Sequence, residues 1–353
     1  MKKMLAILLA AFLILGVAAA CADDPPAPVQ EVQEEVQAVV DEVQEEVQEV
    51  IDEVQEDVEV RRIAFSLPPI RNDFHGRMRI VIDEAIEDVL AARPGEFEFT
   101  AINANDDNHQ FELFEMFISE GYDLIAVMPN DAMLMAPVVA EAYESGIPVI
   151  VINRDLPEPT YTHFIAGDNV DGGRLAAQFI GNYFDGPADI VMVRMNVGTP
   201  IGEDRHRGFM DEIVNFPHIN ILGEAASAPN REAGLEDMGN LLLAHPHIDA
   251  VFTHDDETAQ GAIEAIRDAN RTDIQIMTGF GGVLSVLESY LNDDRPWPES
   301  VLVGTALYSP FMGYDAVWLA IDVLDGVSHP HRIIQPSIFV TRDNAADWLH
   351  LGY

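Results

Sequence analysis

The sequence predicts an α/β protein built as two doubly wound, Rossmann-like lobes. Three observations carry that expectation. After residue 60, short apolar runs alternate with segments of helical period, the pattern of parallel strands covered by helices on both faces. The strands number about ten, more than one twisted open sheet comfortably holds. A chain of 353 residues is long enough for two sizeable cores, and its apolar fraction of 48% is ordinary for a folded protein.

Taken in order, the chain begins with Met1-Lys2-Lys3, an uncharged apolar run from Leu5 to Val17, and Ala18-Ala19-Ala20-Cys21. A positive start, an apolar stretch and small residues before a cleavage point make residues 1–20 a secretory signal peptide. The run is too short for a good membrane-spanning helix. Cys21 is the only cysteine, which excludes an intramolecular disulfide. Its place behind small residues resembles a bacterial lipoprotein signal, in which the thiol is lipidated. The alternative is a plain signal with an incidental cysteine.

Residues 21–59 read as an acidic helical stalk or linker. Pro25, Pro26 and Pro28 break structure behind the cysteine, and an 11-residue repeat follows: VQEEVQAVVDE (32–42), VQEEVQEVIDE (43–53) and VQEDVEV (54–60). The valines at 32, 36, 39, 43, 47, 50, 54 and 58 share one helical face. Such a period gives about 3.67 residues per turn, a straight or slightly right-handed helix, roughly 45 Å long at about 1.5 Å per residue. Valine propensity and like charges one turn apart oppose it. A helix ordered at high salt and an open acidic linker are both consistent with the sequence.

From Arg61 the pattern changes. Ile63-Ala64-Phe65-Ser66-Leu67 is a buried strand stopped by Pro68-Pro69, and a 3.6-residue period then runs over 73–92. Further strands are expected at 97–103, 123–128, 148–153, 162–166, 189–194, 219–224, 249–253, 274–279 and 301–306. The helices between them are expected at 109–120, 132–145, 171–184, 203–215, 231–244, 257–269, 283–292 and 310–325.

Charge narrows the partners. The 19 Lys+Arg face 61 Asp+Glu, a formal net charge of −42. Both lysines, Lys2 and Lys3, lie in the signal, and the other cations are 17 arginines. Residues 23–59 hold 15 acids and no base, so residues 60–353 carry a net −29. So few cations exclude nucleic acid as a partner and disfavour direct contact with an anionic membrane. A lysine-free acidic surface fits a saline or alkaline medium and lineage bias equally.

In doubly wound sheets ligands lie beyond the carboxyl ends of the strands. Here those positions are 68–75, 129–131, 153–155, 198–205, 254–257 and 280–282, a polar and aromatic set without a nucleophile and its base. There is no GxxxxGK[ST], HExxH, CxxC, GxGxxG or GxSxG motif, so neither a metal nor a cofactor is expected. Asp255-Asp256-Glu257 is a carboxylate cluster whose plainer reading is a helix cap with acids in the first turn, one of them facing ligand. Arg154 and Arg205 end buried strands, where a guanidinium must be paired or face a ligand. Its planar fork suits adjacent hydroxyls or a carboxylate. A salt bridge to Asp155 is the structural alternative for Arg154. Phe74 is placed to cover the apolar face of a sugar ring, or else to pack in the core, and His75 faces ligand or solvent.

Residues 60–353 resemble the type I periplasmic sugar-binding proteins, of the ribose- and galactose-binding kind. Asn72-Asp73-Phe74 resembles the first ligand loop, and Ile147-Pro148-Val149 leading to Ile152-Asn153-Arg154 resembles the strand that ends in a ligand-binding Asp-Arg pair. Ile165-Ala166-Gly167-Asp168-Asn169 with Gly172-Gly173 resembles the first interlobe crossing. Arg205-His206-Arg207-Gly208-Phe209 matches R-x-x-G-F, whose first Arg binds sugar hydroxyls. Thr253-His254-Asp255-Asp256 resembles the unit whose Asn binds ligand, at Asp255 here, and Gly304-Thr305-Ala306-Leu307-Tyr308 resembles the second crossing. The departures concern the ligand. Gly281 replaces the family's ligand Asp, Leu307 or Tyr308 its polar crossing residue, and Pro229 its second stacking aromatic. Thr199 and Ile201 stand at the galactose-type His and Asp, and 185–189 is too short for the Ca²⁺ loop.

The resemblance implies two lobes joined by a three-strand hinge, with crossings near 167–169, 306–308 and 327–332. The N-terminal lobe is expected to take 60–167 plus 308–329, the C-terminal lobe 168–307 plus 330–353. The implied function is capture of a monosaccharide by Asn72, Phe74, His75, Asn153, Arg154, Arg205, Asp255 and Tyr308, and delivery to an ABC transporter permease. The protein would sit outside the cytoplasm, on the periplasmic or extracellular face of the membrane, held through a lipid on Cys21. A sugar-sensing receptor serving a chemoreceptor or histidine kinase is the alternative. An enzyme is not expected.

Overall fold

The structure, a computed structural model, describes Val43 and residues 60–195, 197–292 and 294–353. The expected signal peptide, Cys21 and stalk lie outside the described residues. The folded unit is Arg61–Tyr353. It runs β1 (Arg61–Leu67), α1 (Asp73–Ala92), β2 (Phe97–Asn103), α2 (Asp107–Ser119), β3 (Leu124–Val127), α3 (Ala132–Glu144), β4 (Val149–Ile152), β5 (His163–Gly167), α4 (Asn169–Tyr183), β6 (Ala188–Met195) and α5 (Pro200–Ile213). It continues with β7 (Ile219–Ser227), α6 (Arg231–Ala244), β8 (Ala250–Thr253), α7 (Asp256–Asp268), β9 (Ile276–Gly281), α8 (Leu284–Ser289), β10 (Leu302–Leu307), α9 (Met312–Leu324), β11 (Arg332–Gln335), β12 (Ile338–Thr341) and α10 (Ala345–Trp348).

These strands form two six-stranded sheets, β11-β5-β4-β3-β1-β2 and β12-β10-β9-β8-β6-β7. Every pairing is parallel except the antiparallel β10–β12. The two-lobe α/β expectation therefore holds. Leu124–Val127 and Val149–Ile152 are buried at every residue, because helices cover both faces of a central parallel strand. Helix α1 buries Met78, Val81, Ile82, Ala85 and Val89 at helical spacing. Helices α4 and α5 touch through glycine: a Cβ on Gly173 would strike the Arg205 carbonyl, and one on Gly208 the Val170 carbonyl. That contact fixes the N-terminal turns of both helices, from which site residues emerge.

The chain passes between the sheets after β5, after β10 and after β11. Helix α4 packs on β9, β10 and β12, and α9 returns to α1, β3, β4 and β5. The third crossing differs from the expected 327–332. Arg332–Gln335 pairs with β5 in the first sheet and Ile338–Thr341 with β10 in the second, so the passage lies at residues 336–337. Residues 332–335 accordingly belong to the first sheet, not to the second lobe. Both strands are four-residue edges, and β11 is half-exposed, so neither shows the buried apolar run that marks the central strands.

Candidate functional site

The carboxyl ends of the two sheets face one another across a cleft, and backbone turns set the side chains there. Asn72 caps α1, its Oδ1 accepting the His75 N–H at 3.0 Å. The cap delivers Phe74 to the cleft, where its ring lies 5.8 Å from that of Tyr308 and 5.4 Å, edge-on, from that of Tyr353. His75 turns away: its Nδ1 meets the Pro69 carbonyl at 3.1 Å, and burial drops its pKa to about 4, so the imidazole is neutral.

After β4, Asn153 takes a left-handed φ of 67°, a conformation asparagine tolerates better than most residues. This turn buries its side chain, whose Oδ1 accepts the Tyr308 hydroxyl at 2.6 Å. Arg154 follows, and its Nη1 donates to the Asn130 carbonyl. It does not pair with Asp155. That carboxylate is taken by Arg332 and by the Tyr161 hydroxyl at 2.7 Å. The Arg154 charge adds to the burial that depresses His75.

Arg205 is held from the opposite lobe. It is 5% exposed, its Nε donates to Asn169 Oδ1 at 2.9 Å, and its Nη1 donates to the His254 carbonyl. The guanidinium carbon lies 3.8 Å from the centroid of Phe280 and 5.3 Å from that of Tyr308. Burial lowers its pKa, partly offset by Asp255. Asp255 caps α7, with Oδ1 on the Glu257 N–H at 2.9 Å. Burial raises its pKa to about 7, and the Arg205 charge works the other way. Asp256 plays a different part. It is fully buried and accepts from the Thr305 hydroxyl at 2.7 Å and from the N–H groups of Gly282 at 2.7 Å and Val283 at 3.0 Å, which ties β9 to β10. The cluster at 255–257 is thus a cap, a brace and an interlobe contact, since Glu257 accepts the Asp73 N–H of α1.

Of the eight expected residues, Phe74, Asn153, Arg205 and Tyr308 meet directly or through one neighbour, and Asp255 lies within the field of Arg205. Asn72 spends its amide oxygen on the helix cap, and His75 and Arg154 direct ring or guanidinium to backbone carbonyls. Sequence reasoning missed Asn169, Phe280 and Tyr353. Asn169 stood inside a quoted motif, and Phe280 sat at a strand end among glycines. Tyr353 carried no local signal. An open pocket of about 460 Å³ adjoins Asn153 and Arg154, bounded from the other lobe by Asn169 and Asp204.

A family model described as a periplasmic binding protein domain matches residues 63–328. A ribose import binding protein of Bacillus subtilis (strain 168) is 32% identical over 232 residues, 66% of this chain and 73% of that protein. Among solved structures, the fructose binding periplasmic domain of a hybrid two component system is 29% identical with a TM-score of 0.70, covering 82% of this chain and 93% of that one. An ABC transporter solute binding protein from Bacillus halodurans C-125 with bound myo-inositol has a TM-score of 0.73 at 23% identity, covering 83% of this chain and 99% of that one. With the family model spanning most of both lobes, the chain belongs to the periplasmic binding proteins, a family that binds solutes without transforming them.

Proposed function

We propose that the protein captures a monosaccharide, a pentose or hexose, between its lobes and delivers it to the permease of an ABC transporter. Arg205 is the observation that carries this reading. It is a buried guanidinium laid on Phe280, with Phe74 and Tyr308 as further aromatic faces and the Asn153 amide and Asp255 carboxylate nearby. A sugar presents an apolar ring face and a fringe of hydroxyls, and a site of aromatic planes edged by fixed polar groups matches both. The relatives that bind ribose and fructose support the same class. Residues 60–167 with 308–329 and 168–307 with 330–353 describe the two lobes, apart from the first-sheet strand at 332–335. Closure follows from the ligand's tighter hold on the closed form. Cys21 carries the lipid that anchors the protein outside the cytoplasm, and the acidic repeat spaces the lobes from the membrane.

Thermal denaturation against pentoses, hexoses, sugar acids and nucleosides tests the ligand class. A ligand at 100 times its Kd stabilises by about 2.7 kcal/mol, and a midpoint unmoved by the whole panel refutes a sugar site. Incorporation of a palmitate analogue, lost in Cys21→Ala, tests the anchor. A sensing role is the second reading, favoured by the solved fructose-binding domain of a two-component system. A histidine kinase gene beside this one, in place of permease and ATPase genes, supports sensing over transport.

A further inference from the structure

We infer that Tyr353 determines specificity in this cleft, its hydroxyl supplying a neutral hydrogen-bonding group at the end of β9 where position 281 supplies none. The inference rests on the reading of the cleft as a sugar site. Gly281 has a φ of +132°, and a Cβ there would collide with the Tyr353 hydroxyl and come within 3.7 Å of Asp256 Oδ2. The phenol oxygen therefore stands in the space that any side chain at 281 would enter.

Tyr353 is fixed there from both ends. Its carbonyl accepts the Leu284 N–H at 2.6 Å and its N–H donates to the Gly282 carbonyl at 3.3 Å. Its ring packs on the second-lobe core and meets Phe74 of the first lobe edge-on at 5.4 Å. Burial first, then Asp255 and Asp256, hold the hydroxyl in its protonated form, with Arg205 opposing. A phenol so placed offers one donor and one acceptor, where a carboxylate offers acceptors only. The site thus recognises one sugar oxygen there through a neutral O–H, and its ring adds a face that only the closed lobes complete.

The test is titration calorimetry of the purified protein and of Tyr353→Phe with D-ribose, D-arabinose, D-allose and D-glucose, two pairs of epimers. Tyr353→Phe keeps the ring, its contact with Phe74 and both backbone bonds, so the unliganded melting midpoint should stay near wild type. Affinity for the tightest sugar should fall about tenfold, and the ratio between that sugar and its epimer should narrow. Unchanged affinity, or equal weakening of both epimers, overturns the inference and leaves Tyr353 a packing residue. A wild-type protein that binds none of the four refutes a site for these sugars, and the inference falls with it. A wild type that binds one of these sugars while Tyr353→Phe binds it equally well strikes the inference alone and leaves the sugar site standing.

Discussion

Replacing Arg205 with alanine separates binding from stability. The side chain is almost fully buried, donates to Asn169 at 2.9 Å and to the His254 carbonyl, and lies 3.8 Å over Phe280. Its removal leaves two acceptors without their donor, at about 1–3 kcal/mol each, and forfeits a desolvated cation–π contact of about 2 kcal/mol. Against this, the unfolded chain no longer has to bury a guanidinium, a relief of several kcal/mol. The opposing quantities are of similar size, so unliganded stability should change by no more than about 2 kcal/mol. Affinity has no such offset. Truncating a buried charged partner costs about 2–5 kcal/mol, which is roughly 30-fold to a few thousand-fold in Kd. Arg205→Lys keeps the charge but loses the fork and the stacking surface, and should fall between. Calorimetric titration with the tightest sugar of the panel, alongside urea denaturation of each variant, reads both quantities. Wild-type affinity in Arg205→Ala refutes the placement of the site.

Other residues give separable expectations. Tyr308→Phe breaks the 2.6 Å bond to Asn153 and should destabilise by about 1–3 kcal/mol in urea denaturation; no change would mean that water replaces the hydroxyl. Asp255 has a folded pKa of about 7 against an ordinary 3.8, so the native state holds its proton between those values and stability falls as pH rises through that window. The ceiling is about 4 kcal/mol, and Asp255→Asn should flatten denaturation curves taken between pH 4 and pH 7.5, whereas profiles parallel to wild type would remove Asp255 as the cause. Gly208→Val drives a side chain into the Val170 carbonyl and should lower the melting midpoint by several degrees, roughly the effect of 1–3 kcal/mol of overpacking; an unmoved midpoint would mean that α4 and α5 separate freely.

What could be read beforehand follows from how locally each feature is encoded. The strands at 124–127 and 149–152 are unbroken apolar runs because both faces are covered, and Asn72 and Asp255 announce helix starts through their own side chains. Arg205 was legible because a cation in an apolar context must be explained wherever it falls. The third crossing was misplaced because β11 is a four-residue edge whose strand partner among the described residues, β5, lies about 170 residues earlier. The partner of Asp155 was equally distant: Arg332, not its neighbour Arg154. Tyr353 was invisible because its importance comes from the emptiness at Gly281, a relation between two positions that nothing in either neighbourhood encodes.

The same long-range contacts bear on how closure can be driven. Across the cleft, Phe74 meets Tyr353, and Glu257 accepts the Asp73 N–H. Aromatic pairs contribute about 0.5–1.5 kcal/mol each, and a single hydrogen bond about as much. Their sum is a few kcal/mol, which must also offset the entropy of holding the lobes together. Moving the balance from one part in a hundred closed to one part in a hundred open takes about 5.5 kcal/mol of differential affinity. Groups on one lobe alone cannot supply it, because a ligand meets them equally in either form. The discrimination must come from a ligand that touches Phe74 or Asn153 of the first lobe and Arg205 or Asp255 of the second at the same time. A sugar reaching only Arg205 would bind without closing the protein. Small-angle scattering of the double variant Phe74→Ala with Asn153→Ala, at saturating sugar, should therefore show an open form that still holds its ligand, and a fully closed envelope would refute the bridging argument.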